Sequence, residues 1–169
     1  MTRAVNKDVA GLPNLDLPIV LSEQQIDEIR ASIRQEFRAQ VEELAELVDQ
    51  LGAKLIVITQ SYTLHKLRFG LTDEWRSYRG EVSRVEQLLR KNGNISAVQS
   101  TLLIHRDLMD VLRAISDERG LHLVEGIDVV DKDRARMMAS FVHLTPSGNT
   151  HIAAAIRTAI LAENLLPSK

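Results

Sequence analysis

Apolar residues recur every three or four positions from Ser22 onward. Ile26, Ile29, Ile33, Phe37, Val41, Leu44 and Leu47/Val48 make one stripe, the spacing of a long amphipathic helix. Ser22 suits its N-cap, Gln25 stands at capping-box spacing, and Gly52 supplies a stop. The period then changes. "KLIVIT", 54–59, is a continuous apolar, β-branched run, which predicts a strand covered on both faces, as in a parallel sheet. Residues 60–80 are mixed in character, Glu81–Arg90 read as a helix, and "KNGN", 91–94, reads as a turn. A helix over 97–119 carries Leu102, Leu103, Leu108, Val111, Leu112 and Ile115, and Gly120 ends it. "LHLVEG", 121–126, is a second short strand, and "DVVDKDRARMMAS" a loop with a helical turn. The last helix runs over 146–163 and presents Ile152, Ala155, Ile156, Ala159 and Ile160 as its buried face.

Residues 1–21, with Pro13 and Pro18, read as an extended N-terminal arm in which "LPIVL" has strand character. Residues 22–169 read as a single α/β domain, helix-rich, with a partial parallel sheet and flanking helices. Two strands are fewer than the roughly four to six of an ordinary sheet. They leave two edges open. Either the arm and the 92–97 region add strands, or another chain completes the sheet.

Composition narrows the classes. Acidic residues number 23 and Lys plus Arg 21, so no net positive charge favours nucleic acid. There is no cysteine, hence no disulfide and no thiolate metal site. No apolar run approaches the roughly 20 residues of a membrane span, and the N-terminus has no secretory core. A cytoplasmic protein without cofactor, nucleic-acid or membrane partner is the expectation.

The sharpest candidate chemistry is in "FVHLTPSGNTHIAAAI", 141–156. Thr145 can cap a helix whose first residue is Pro146. His143 then stands two residues before the cap, where the positive helix end favours a neutral imidazole that can take a proton from a hydroxyl. Other features have plainer readings. Trp75 with Tyr62 and Tyr78 packs a long loop or lines a pocket, and Arg134 and Arg136 belong to a solvated charged loop. His151 reads as a surface or half-buried position. His65, His105, His122, His143 and His151 lack metal-ligand spacing.

"FVHLTPSGNTHIAAAI" resembles the last sequence block of the SGNH (GDSL-type) hydrolases, in which a catalytic His stands in an Asp-x-x-His-Leu-(Thr/Ser)-x-x-Gly pattern before the final helix. "LSEQQIDEIRASIRQEFRAQVEELAELVDQLGAKLIVITQSY" is similar to a helix-then-strand unit of that family. "HRDLMDVLRAISDERGLHLVEG" is similar to its later helix and the strand that often ends in Val-Asp. The resemblance spans roughly residues 20–163, and only the 143–148 block is specific. It implies a flavodoxin-like half-fold, an ester or acyl substrate, and His143 as general base. Ser61, Tyr62 and Trp75 would line the substrate site.

The chain departs from the family in ways that bear on activity. The Gly-Asp-Ser nucleophile block and the oxyanion-hole Gly and Asn blocks have no counterpart; "NKDVAG" and "NLDLPI" do not substitute. Ser140 stands where the family places Asp, and Val124-Glu125 where it places Val-Asp. Asp128, Asp131 or Asp133 would have to approach His143 to replace the missing carboxylate. Ser61 is followed by Tyr-Thr rather than a Gly-rich turn, which does not favour a nucleophile elbow. The expectation is the C-terminal part of such a hydrolase, inactive alone, whose upstream half is absent either through truncation of the gene or because it lies on another, complementing chain. The alternative is a non-catalytic interaction module, most simply a homodimer through its open sheet edge and long helix.

Overall fold

The computed structural model describes residues 19–64 and 77–165. The order is β1 (Val20–Ser22), α1 (Glu23–Gln50), β2 (Ile56–Ile58), α2 (Tyr78–Asn92), β3 (Asn94–Ser96), α3 (Ala97–Arg119), β4 (His122–Val124), α4 (Gly126–Asp131), α5 (Arg134–Met137) and α6 (Pro146–Ala162). It is a mixed α/β chain dominated by helices.

Local chemistry sets the helix starts. Ser22 accepts from the Gln25 N–H at 3.3 Å, and the Gln25 side chain accepts from the Ser22 N–H at 3.0 Å, completing the anticipated capping box. Ser96 and Gln99 build a second box of the same kind at α3. Helix α2 starts at Tyr78, three residues ahead of the sequence expectation, because Ser77 caps it by accepting from the Gly80 N–H at 3.0 Å.

The two expected strands pair in parallel, Ile56 opposite His122 through Ile58 opposite Val124. The arm and the 92–97 region do form strands, β1 and β3. They pair antiparallel with each other as a separate ribbon and add nothing to the β2–β4 sheet. Among the described residues the parallel sheet therefore has two strands and an unpaired edge on each.

The main core gathers Ile26 of α1, Tyr78, Val82, Val85 and Leu89 of α2, Ile95 of β3, Leu102 and Leu103 of α3, and Ile127 of α4. A second cluster, Val41, Leu112 and Ile115 with Val57 and Leu123, ties α1 and α3 to one face of the parallel pair. Val130, Met137 and Met138 pack with Leu144 and Ile152 below α6.

Two expected buried faces are incomplete. On α1, Leu44 and Leu47 are exposed, as is Leu51 just beyond the helix. On α6, Ile152, Ala155, Ile156, Ala159 and Ile160 are only half-buried, and Gly148 is the helix's one fully buried residue. Under α6 the parallel sheet is only two strands wide among the described residues, and over the α1 leucines no described element lies. No helix among the described residues is long and apolar enough to cross a membrane.

Candidate functional site

The site is built where the parallel strands end. Thr59, directly after β2, donates its N–H to the Val124 carbonyl at 3.0 Å and its hydroxyl to Glu125 Oε2 at 2.9 Å. Glycine is required at 126, since a Cβ there would lie 2.3 Å from the Thr59 carbonyl oxygen. The loop after β2 and the loop before α6 then meet. Thr63 donates its N–H to the Phe141 carbonyl at 2.9 Å, the Tyr62 ring stacks on Phe141 at 6.5 Å, and the Gln60 amide reaches the Val142 carbonyl at 3.5 Å.

His143 belongs to a tight turn. A bridge pairs Met138 with Leu144, and the Ala139 N–H donates to the His143 carbonyl at 2.7 Å. That closure brings the side chains three residues apart together, and Ser140 Oγ lies 2.6 Å from His143 Nδ1. Thr145 then caps α6 as anticipated, accepting from the Gly148 N–H at 3.1 Å and donating to the Arg136 carbonyl at 2.8 Å. Gly148 sits so close to α5 that a Cβ would lie 2.3 Å from the Met137 oxygen. Backbone and cap thus place an exposed imidazole at a helix mouth with one nitrogen held by a hydroxyl. A neutral hydroxyl can orient the ring. It stabilises an imidazolium far less than a carboxylate does.

None of the carboxylates offered as substitutes bonds to His143. Asp131 accepts from the Tyr78 N–H at 2.8 Å, and its burial raises its carboxyl above the usual range. Asp128 is exposed, 3.9 Å from Arg79, and Asp133 is an exposed residue ahead of α5 that makes no side-chain cap bond. Glu125, in the Val-Asp position, is gripped by Arg113 through Nε at 2.8 Å and Nη2 at 2.9 Å, and that bonding holds it below the usual carboxylate range.

Ser61 lies on the loop after β2, buried, with a hydroxyl that has no hydrogen-bond partner among the described residues; no bond joins it to His143. Tyr62 is half-buried, with its hydroxyl 3.0 Å from Thr101 Oγ1. Trp75 and His65 lie outside the described residues. Among those residues no three His, Asp or Glu side chains converge as metal ligands. His151 is exposed on α6.

Sequence reasoning missed a buried polar cluster beside this loop. Arg134, assigned to a solvated charged loop, is 2% exposed because its guanidinium reaches inward to Glu81, itself 0% exposed. Arg136 stays exposed as expected. His105 Nδ1 lies 2.8 Å from the Tyr78 hydroxyl, and the His105 and Tyr62 rings are 5.2 Å apart. Burial, aided by the positive charge of Arg134, lowers His105 to about 4, and burial pushes the Tyr78 phenol up. Buried and solvated charges look alike in a sequence, so little in "DKDRARMM" marks Arg134. Met137 and Met138, three and four residues on, are the one hint of an inward-facing turn.

Comparison with known proteins finds no matching family model, no similar curated protein and no similar solved structure.

Proposed function

We propose that this chain is the C-terminal part of an SGNH-type hydrolase acting on ester or acyl substrates. His143 is the general base, Ser140 orients its ring, and an upstream segment or another chain brings the nucleophile and the oxyanion donors. The observation that carries this reading is the 2.6 Å contact between Ser140 Oγ and His143 Nδ1 in a turn capped into α6, beyond the C-terminal ends of two parallel strands. In open α/β sheets, ligands bind at that end of the strands. The motif resemblance adds the reaction class.

The test is a chimaera that joins residues 19–169 to the nucleophile-bearing half of an SGNH hydrolase. The expected result is p-nitrophenyl ester hydrolysis that falls about 10³-fold or more in His143→Ala. The chain alone is expected to show no turnover. A folded chimaera whose rate ignores His143, or a robust His143-dependent rate from the chain alone, would overturn the reading.

A second reading has its own support. The edge of β2 left unpaired among the described residues and the exposed Leu44, Leu47 and Leu51 together favour a non-catalytic module that self-associates. A monomer by light scattering at micromolar concentration would count against it.

A further inference from the structure

Arg134 carries its charge where burial is costly. Its side chain is 1% exposed, and Nη2 lies 2.6 Å from Glu81 Oε2. Nη2 also donates to the Tyr62 carbonyl, whereas Nε lies 3.8 Å from Asp131 Oδ1, beyond hydrogen-bond reach, and Nη1 has no hydrogen-bond partner among the described residues. A buried ion pair bonded this incompletely is a poor source of stability, and apolar residues of similar volume generally serve as well or better. The contribution of the pair is therefore local. Glu81 Oε1 accepts from the Thr63 hydroxyl at 2.9 Å and from the Leu64 N–H at 2.7 Å. With the Tyr62 carbonyl, this fixes three consecutive residues from one buried point. Two of them bear directly on the histidine turn, through the Thr63 N–H to the Phe141 carbonyl and the Tyr62 ring on Phe141.

We propose that Arg134 and Glu81 are positioning residues: they hold Tyr62–Leu64 as the bed on which the Ser140–His143 turn rests, and so set the orientation of the His143 ring. This rests on reading His143 as the base. Neither residue touches His143. They act through the backbone between them.

The test needs no turnover. In the wild-type chain, hydrogen exchange of the Thr63 and Leu64 amides is expected to be as slow as that of the α3 core amides. In Glu81→Leu/Arg134→Met, packing is kept and the polar bonds are removed. There Thr63 and Leu64 lose their buried acceptor, so the urea midpoint is expected to fall, and Thr63 exchange to rise roughly tenfold or more. The ¹⁵N signals of the His143 ring are expected to shift toward those of free imidazole. A purely structural pair would move the midpoint and leave the ring signals alone. A folded double variant with unchanged His143 signals overturns the proposal. If that variant does not fold, the wild-type exchange decides: Thr63 and Leu64 amides exchanging at the rate of an exposed loop overturn it too. The base role itself is read separately, as ester turnover in the chimaera, so failure of one assignment is distinguishable from failure of the other.

Discussion

At its N-terminal end α1 buries Ile26 completely, packed with Val82, Val85 and Leu102 and with Ile95 of the small ribbon. Roughly 30 Å along the same helix, Leu44 and Leu47 stand 47% and 53% exposed, and Leu51 just past its end 73%. The two ends carry the same kind of stripe and differ in their neighbours. Helices α2 and α3 and strand β3 surround the first end. The second has α3 on one side, where Val41 and Ala45 are buried, and no described element over its leucines. Helix α6 repeats the lesson on the parallel pair, where its isoleucines stay half-buried. One part of this molecule closes its own core, and the other, among the described residues, presents strands and helices without enough sheet to join them. The proposed base lies in the second part.

The strongest way to break this contrast is to truncate one side chain in each region. Leu102 is 0% exposed and Ile156 is half-buried. Leu102→Ala is expected to cost about 3–4 kcal/mol through lost burial and an unfilled cavity. Ile156→Ala should cost about 1 kcal/mol or less, because less area is lost and alanine is the better helix former. Urea denaturation of both variants checks this. Equal losses would mean that α6 is as fully packed in solution as the closed core, and the contrast would fall.

Acid should find the closed region first, through His105. The ring lies against Tyr78 and Tyr62, and its value is lowered to about 4 from an ordinary 6.5. Between those values the unfolded chain binds the proton that the folded chain refuses. Stability therefore falls as pH drops from about 6.5 to about 4, by an amount on the order of 1–3 kcal/mol. His105→Gln keeps a polar partner for the Tyr78 hydroxyl and does not titrate. It is expected to remove that part of the slope when melts are compared across the window. An unchanged slope would place the imidazole in solvent and loosen the closed region.

How much of this was legible in the sequence divides along the same line. Signals internal to one segment were readable. The Ser22–Gln25 box, the Thr145–Pro146 helix start and the apolar run of β2 depend on residues a few positions apart, and each is found where the pattern put it. Ser140 is marked only by its place in the family pattern; its contact with His143 comes from the tight turn, which brings i and i+3 together. Properties that depend on distant neighbours were not readable. The stripe on α1 gives no sign of which half will be covered, because coverage is decided by α2 and β3, which lie more than 50 residues beyond Ile26. Arg134 carries the same code whether it meets water or Glu81, and the difference is set by a partner 53 positions earlier. Pairing of β1 with β3 was open for the same reason, because three-residue strands carry almost no register information.

The smallest expected effect sharpens the comparison most. Leu47 is 53% exposed, so Leu47→Gln removes little buried area and should change stability by less than about 0.5 kcal/mol. The same substitution at Ile26, on the other end of the stripe, would bury an amide without a partner. If Leu47→Gln proves costly, and the cost grows with protein concentration, then a second copy covers the leucines. The open end would then be a dimer interface rather than a surface awaiting an upstream segment. If the cost is small at every concentration, the stripe is uncovered in the isolated chain. In that case the half-buried α6 and the edge of β2 left unpaired among the described residues are the surface that the proposed upstream segment would have to cover before His143 could act as the proposed base.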